Sequence, residues 1–287
     1  MGRVGRRIAF ATSAALPDST ADDRLVVDAL RSLGVEAIPA VWDSSDVPWA
    51  SFGMTIVRST WDYQHRCAEF LRWVDRVASG CPLWNPASTI RWNHDKRYLI
   101  DLLGAGHAVV PTERVVHGSA VTLRSLERAR GWDAVVVKPA IGAGGHNVQR
   151  FGPAEIAEGE AHLARLLQAG DALVQPFLEA GRELGERSLV FLGGTFSHAV
   201  EHPPAGSGDR KVPRPLIPSR SDIERAGRIV AGVSPVPLYA RLDFLPDGQG
   251  AWLLGELELI EPELFFRCSP GAADHFADLI VRKLAVP

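Results

Sequence analysis

Cysteine is scarce: Cys67, Cys81 and Cys268 are odd in number and far apart in a chain of 287 residues. That spacing suggests neither a disulfide framework nor a zinc site. No apolar run reaches the length of a bilayer, and the start "MGRVGRRIAFATSAALPD" has too short an apolar core for a signal peptide. We read it as a first strand, and expect a cytoplasmic protein with no membrane partner. Excess charge is also missing. With 31 Lys+Arg against 34 Asp+Glu the net charge is −3, which argues against a nucleic-acid partner. There are no internal repeats, and no Ser, Cys or His stands in a recognisable nucleophile motif.

What is present is size and alternation. Hydrophobic residues make up 46% of the chain, enough for a substantial core and two or three subdomains. Strand-like runs at Arg7 to Ala11, Val35 to Val41 and Met54 to Arg58 alternate with helical patterns at Ala21 to Leu33 and Ala68 to Ala78. This is the pattern of α/β layering. "WNHDKRYLIDLLGAG" offers Asn93 as the N-cap of an amphipathic helix closed by Gly104. Further on, a helix near Glu155 to Gln168 precedes a strand at Ala172 to Phe177, and Arg187 to Leu192 with Thr195 to Val200 suggest a hairpin. The Pro- and Gly-rich insert from Glu201 to Asp222 predicts a long surface loop. A helix to about Val230, strands at Tyr239 to Leu245 and Ala251 to Ile260, and a helix from Ala272 follow. The tryptophans Trp42, Trp49, Trp73, Trp84 and Trp132 are expected to pack, not to stack on a ligand.

The chemistry concentrates in "AVVVKPAIGAGGHNVQRF", where Lys138 ends an apolar run and a glycine loop follows. A P-loop places its lysine after the glycines, and so does a kinase-type pair; here the lysine comes first. A dinucleotide fingerprint would need a third glycine where Asn147 stands, and a helix where "HNVQRF" reads as a strand. A plain hairpin turn remains the bland alternative.

The order strand, lysine, glycine loop, strand resembles the ATP-grasp superfamily, including ligases of the glutathione-synthetase and ribosomal-protein-modifying kind. The resemblance runs on through "WNHDKRYL", "LVQPFLEAG", "GERSLVFLGG", "YARLDFL" and "LLGELELIEP", in the family's order over about residues 90 to 265. It implies an α/β (α+β) architecture. An N-terminal Rossmann-like domain on the substrate side would span 1–92, a central lid subdomain 93–178, and a C-terminal antiparallel-sheet subdomain with the metal site 179–287. The implied cofactors are ATP and Mg²⁺, with Mn²⁺ as a substitute.

The resemblance also implies roles. Lys96 and Lys138 would neutralise phosphate oxygens, and the backbone of Gly142, Gly144 and Gly145 would approach them closely. Gln175, Phe177 and Leu178 would hold adenine. Glu186, or less directly Glu183 or Glu179, would take the ribose. Asp243 and Glu256 would hold the metal, with Glu258 where many relatives have asparagine. Alternation puts Glu256 and Glu258 on one face, which suits an acidic edge strand as well as a metal site. Arg241, on the face of Asp243, would with Lys138 stabilise the transferring phosphoryl group.

For the acceptor, "RSTWDYQHR" follows a strand end, the usual place for binding residues in such sheets. Arg58 could hold a carboxylate, with Ser59, Thr60 and Asp62 on a polar amino-acid group, and His198, Glu201 and Lys211 could line the pocket. "RSTWDY", "FSHAV" and "ARLDFL" resemble a bacterial subgroup that includes the cyclo-ligase forming D-cycloserine from O-ureido-D-serine. The implied reaction phosphorylates a carboxylate and lets an amine displace phosphate, with a small amino-acid-like substrate. The alternatives are an intermolecular amino-acid or dipeptide ligase and a non-catalytic nucleotide-binding module. A homo-oligomer is left open.

Overall fold

The computed structural model describes residues 7–204 and 212–285. Its first layer is a parallel sheet of β1 (Arg7–Thr12), β2 (Glu36–Val41), β3 (Met54–Ser59) and β4 (Leu83–Trp84), in the order β2-β1-β3-β4. β1 and β3 are buried almost from end to end, as strands covered on both faces must be. Helix α1 (Ala21–Ser32) begins where the Thr20 hydroxyl accepts from the Asp23 amide, at 3.0 Å, with Asp22 and Asp23 at the positive end of the helix dipole. Helix α2 (Cys67–Gly80) covers the opposite face, packing Phe70, Trp73 and Val77 against Trp42 and Trp49. These tryptophans are core residues.

Two short helices lead out of this layer, α3 (Ala87–Asn93) and α4 (Tyr98–Gly104). The single helix expected from Asn93 onward is thus broken, and Asn93 is not its N-cap. Asn93 is buried, and its side-chain amide donates to Leu257 O (2.8 Å) while its oxygen accepts from Leu259 N (2.9 Å). Lys96 occupies the break, anchored by its own amide to Ala140 O at 2.8 Å. The tertiary partners outweigh local helix propensity there.

The central subdomain is an antiparallel sheet of β5 (Glu113–Val115), β6 (Val135–Pro139), β7 (Gln149–Phe151) and β8 (Ala172–Pro176), in the order β5-β8-β6-β7. Helices α5 (Leu123–Arg130) and α6 (Ile156–Ala169) back it, and Leu123, Leu163 and Leu166 pack on Val135 and Val137. The glycine loop connects β6 to β7.

The rest of the chain gives α7 (Ala180–Leu184), β9 (Glu186–Leu192), β10 (Thr195–His202), β11 (Arg214–Leu216), α8 (Arg220–Ala231), β12 (Tyr239–Pro246), β13 (Trp252–Glu258) and α9 (Ala272–Leu284). Its strands form one antiparallel sheet in the order β11-β10-β9-β12-β13. The insert expected as a loop contains β11, which pairs with the end of β10. Lys211 lies outside the described residues. Helix α9 returns to the first layer, where Phe276, Ala277 and Ile280 share a core with Ile8, Phe10, Val26 and Leu30. The two ends of the chain therefore complete one apolar unit.

Polar groups join that unit to the antiparallel sheet. Asn85 Nδ2 donates to Tyr239 O (2.9 Å) and Leu259 O (2.7 Å), and Asn85 Oδ1 accepts from Leu238 N (2.7 Å). The Tyr239 hydroxyl donates to Val57 O at 2.7 Å. β12 and β13, which carry the acidic residues, are held in place from beneath by these bonds.

Candidate active site

A cleft of about 400 Å³ opens between the central sheet and the antiparallel sheet. One wall is β6, the glycine loop and the segment after β8; the other is α7, β9, β12 and β13. Of the residues singled out by sequence, Lys96, Lys138, Gly142, Gly144, Gly145, Gln175, Phe177, Leu178, Glu186, Asp243 and Glu256 line it. Register brings the charged residues of two strands together: Asp243 on β12 stands opposite Glu256 on β13, and Arg241 opposite Glu258.

Most cations and carboxylates of the site are paired, though among the described residues Lys138, Glu186 and Glu261 are not. Lys96 Nζ pairs with Glu256. Arg241 grips Asp243 through Nε and Nη2, each at 2.9 Å, and reaches Glu258 with Nη2 at 2.6 Å. The Ser188 hydroxyl also donates to the Asp243 carboxylate, at Oδ1, 2.6 Å away. Lys138 is only 8% exposed and makes no ion pair among the described residues. Burial lowers its pKa from 10.5 to about 8, with Glu256 opposing the shift and Lys96 adding to it. A buried cation kept without a counter-ion is costly. It marks where an anion belongs.

The acids differ among themselves. Burial works against the charge of Glu256, but Lys96 and Lys138 prevail and hold it below the usual carboxylate range. Burial pushes Glu186 and Glu258 up, in Glu186 with the help of Asp243, in Glu258 against the pull of Arg241. Among the described residues no three His, Cys, Asp or Glu side chains form a ready metal cage. The oxygens of Asp243 and Glu256 suit a hard cation that brings most of its other ligands, phosphates and waters, with it.

The loop over the cleft turns through Gly144 (φ +61°), Gly145 (φ +69°) and Asn147 (φ +59°). Glycine enters that left-handed region freely and asparagine tolerates it, so Asn147 closes the turn where a dinucleotide fingerprint would need glycine. At the other end of the cleft, the Phe177 amide donates to Ala134 O at 2.8 Å and is spent in the hinge. The Leu178 amide has no partner among the described residues. Gln175 donates its side-chain amide to Thr112 Oγ1 at 2.8 Å, a structural bond.

Other residues singled out by sequence lie elsewhere. Glu183 is exposed on α7 and off the cleft lining. Arg241 and Glu258 sit behind the lining, joined to it through Asp243. Arg58, expected to be open to a carboxylate, is buried instead, with Nε on Asp23 at 2.8 Å and Nη2 on Pro262 O at 3.0 Å. Only its Nη1 lacks a partner. Ser59 bonds Thr12 inside the sheet, Thr60 is buried with an unpartnered hydroxyl, and Asp62 is held by Trp42 and Arg66. His198 is buried, hydrogen-bonded through Nε2 to Leu264 O at 2.8 Å, and Glu201 is exposed. The polar side chains turn inward because buried polar partners meet them there, Asp23 and Pro262 O for Arg58 and Thr12 for Ser59. Sequence reasoning missed Ser188, Arg182, His146 and Glu261. Ser188 was legible in principle, because it pairs in register with Asp243.

The same overall fold occurs in solved ATP-grasp ligases. PsnB complexed with minimal precursor, Mg and ADP matches with a TM-score of 0.67 at 14% identity, covering 98% of both chains. D-alanine–D-alanine ligase from Bacillus anthracis complexed with ATP matches with a TM-score of 0.69 at 12% identity, covering 97% of both chains. At such identity the likeness concerns the fold, and the fold is ATP-grasp. The sequence is more specific. Residues 8–85 match the family described as D-cycloserine synthetase DcsG, N-terminal domain. The cycloserine biosynthesis protein DcsG of Streptomyces lavendulae is 32% identical over 276 residues, covering 90% of this chain and 92% of that one. The crystal structure of D-cycloserine synthetase DcsG matches with a TM-score of 0.90 at 29% identity, covering 97% of this chain and 99% of that one. The chain belongs to the D-cycloserine synthetase family of ATP-grasp ligases.

Proposed function

We propose that the cleft binds ATP with Mg²⁺ and that the protein closes O-ureido-D-serine into the D-cycloserine ring through an acyl phosphate, releasing ADP and phosphate, while the carbamoyl group on the ring nitrogen is lost to water as carbon dioxide and ammonia. The observation that carries the nucleotide reading is Lys138, a buried lysine without a counter-ion facing Glu256 and Asp243 across the cleft. The substrate reading rests on the similarity to DcsG along nearly the whole chain.

Lys138 and Lys96 would take the phosphates, and the glycine-loop amides would cover them. Leu178 N–H is the free hinge donor for the adenine edge, and Glu186 stands where the ribose hydroxyls would fall. Asp243 and Glu256 would hold the cation, with Glu258 within reach and Mn²⁺, another oxygen-preferring ion, able to substitute. Bound there, a divalent cation supplies charge neutralisation for phosphoryl transfer. Arg241 keeps its guanidinium beside the same carboxylates and would steady charge on the moving phosphoryl group. The protein's part is positioning and the exclusion of water.

The test is incubation with ATP, Mg²⁺ and O-ureido-D-serine as the only amino-acid substrate. ADP and a cyclic product should form together. ADP release only when two separate amino acids are present would replace ring closure by intermolecular ligation.

A further inference from the structure

One buried acid near the site has no partner. Glu261 follows β13 by a few residues and is 8% exposed. No hydrogen bond or ion pair to its carboxylate occurs among the described residues, whereas its acidic neighbours are held: Glu256 by Lys96, Glu258 and Asp243 by Arg241. Its own backbone is fixed firmly. Trp61 Nε1 donates to Glu261 O at 2.9 Å, and Arg58 Nη2 donates to the next carbonyl, Pro262 O, at 3.0 Å. The parallel domain therefore clamps this residue at the far side of the acidic strand pair. The charges that reach it are Glu258 and Glu256 of β13, Lys96 of the helix break and Arg241 of β12, and it in turn acts on Tyr63 from the parallel domain. Lys96 and Glu256 line the cleft while Glu261 lies just outside that lining, against the parallel domain, the side from which an acceptor would meet the acyl phosphate.

From this geometry, and resting on the ligase reading above, we infer that Glu261 accepts the proton of the attacking nitrogen during ring closure. The nitrogen lone pair forms a C–N bond at the acyl-phosphate carbonyl carbon. The C–O bond to phosphate breaks and phosphate leaves with the electron pair. The N–H proton passes to the Glu261 carboxylate, which afterwards releases it to solvent, and the carbamoyl group that the nitrogen still carries is then hydrolysed off as carbon dioxide and ammonia. Burial pushes the Glu261 pKa up to about 8, reinforced by Glu258 and opposed by Lys96, a value suited to taking a proton near neutral pH. An uncompensated buried carboxylate is otherwise a liability to the fold.

The experiment separates the two chemical steps. Hydroxylamine traps an acyl phosphate as a hydroxamate without help from a protein base. With ATP, Mg²⁺ and O-ureido-D-serine, Glu261→Gln should form hydroxamate within about 3-fold of wild type, while ring closure falls by roughly 100-fold or more. The substrate KM should be nearly unchanged, and Glu261→Asp should recover part of the ring-closing rate. The rise of the wild-type rate with pH through neutrality should vanish in the Gln variant. A rise in KM with parallel loss of both products would make Glu261 a substrate anchor and overturn the inference, as would unimpaired ring closure. Wild type that releases no ADP with ATP, Mg²⁺ and O-ureido-D-serine would instead overturn the ligase reading, and this inference with it. A thermal melt checks folding, and Glu261→Gln should melt no lower than wild type at pH 8.

Discussion

Lys138 shows how a single residue can be read for function and for stability at once. Its pKa near 8 compares with an ordinary 10.5. Below pH 8 it is charged in both folded and unfolded chains, and the folded protein bears the full cost of burying it. Between 8 and 10.5 the unfolded chain keeps the proton that the folded one has lost, so stability rises with pH in that window. Lys138→Met should therefore melt higher than wild type at pH 7, by roughly 1–3 kcal/mol in stability. The gap should close as pH rises through the window, and thermal melts at several pH values check this. The same variant should lose roughly 2 kcal/mol or more of ATP affinity by calorimetry. A variant that binds ATP as tightly as wild type would reduce Lys138 to a turn residue. Asp243→Asn is the companion case. It keeps the bond from Ser188 but removes the charge facing Arg241 and the cation, so turnover should fall at least 100-fold with the far-UV spectrum unchanged. Residues of this kind were legible through the resemblance to ATP-grasp ligases, and alternation then fixed their strand and face. Arg58 was not: a strand-end arginine looks the same in sequence whether it faces a substrate or a buried Asp23.

At the scale of elements, strands were read closely and breaks were not. β12 and β13 stand within a residue or two of their expected ends, because period-two alternation over that length has few competing solutions. The break between α3 and α4 carries no such signal. It exists because Asn93 and Tyr98 bond the backbone of β13, at Leu257 and Leu259, from far along the chain. α5 was passed over as well, although its Thr122–Ser125 capping box is local, since its eight residues are mostly polar and only Leu123 of them is buried. The glycine loop behaves in the opposite way. A Cβ placed at Gly144 or Gly145 would meet nothing within 4 Å, so local turn chemistry and not packing shapes the loop. Its internal bonds are few, Val148 N to Gly145 O and His146 N to Ala143 O. Amides of residues 142–147 should exchange hydrogen rapidly in the free protein and at least 10-fold more slowly with ATP and Mg²⁺ bound. Exchange that does not change on nucleotide binding would remove the loop from the phosphate site.

For the whole molecule, what matters is how the parallel layer is fastened to the sheet that carries the acids. Sequence order suggested a first domain ending near residue 92, yet α9 packs beside α1 and shares the core of that layer. No local pattern announces such a return, because an amphipathic helix shows its apolar stripe without showing what covers it. Between the layers, Asn85 is fully buried and spends its side chain on Tyr239 O, Leu259 O and Leu238 N. Leu259 and Tyr239 adjoin the strand pair that presents Glu256, Glu258, Arg241 and Asp243. Asn85→Ala would leave two carbonyls and an amide unpaired in the interior, at a cost of roughly 2–4 kcal/mol, and the melting temperature should drop by several degrees. The kinetic effect should be unequal. The ATP cleft is walled by the central and antiparallel sheets, neither of which Asn85 belongs to, so the KM for ATP should change little. The acceptor would lie where the parallel layer meets Glu261, across the seam that Asn85 closes. Its KM should rise several-fold, and more ATP should be hydrolysed per ring formed. Steady-state kinetics with ADP and product measured side by side decide it: equal rises in both KM values would place the acceptor away from this seam.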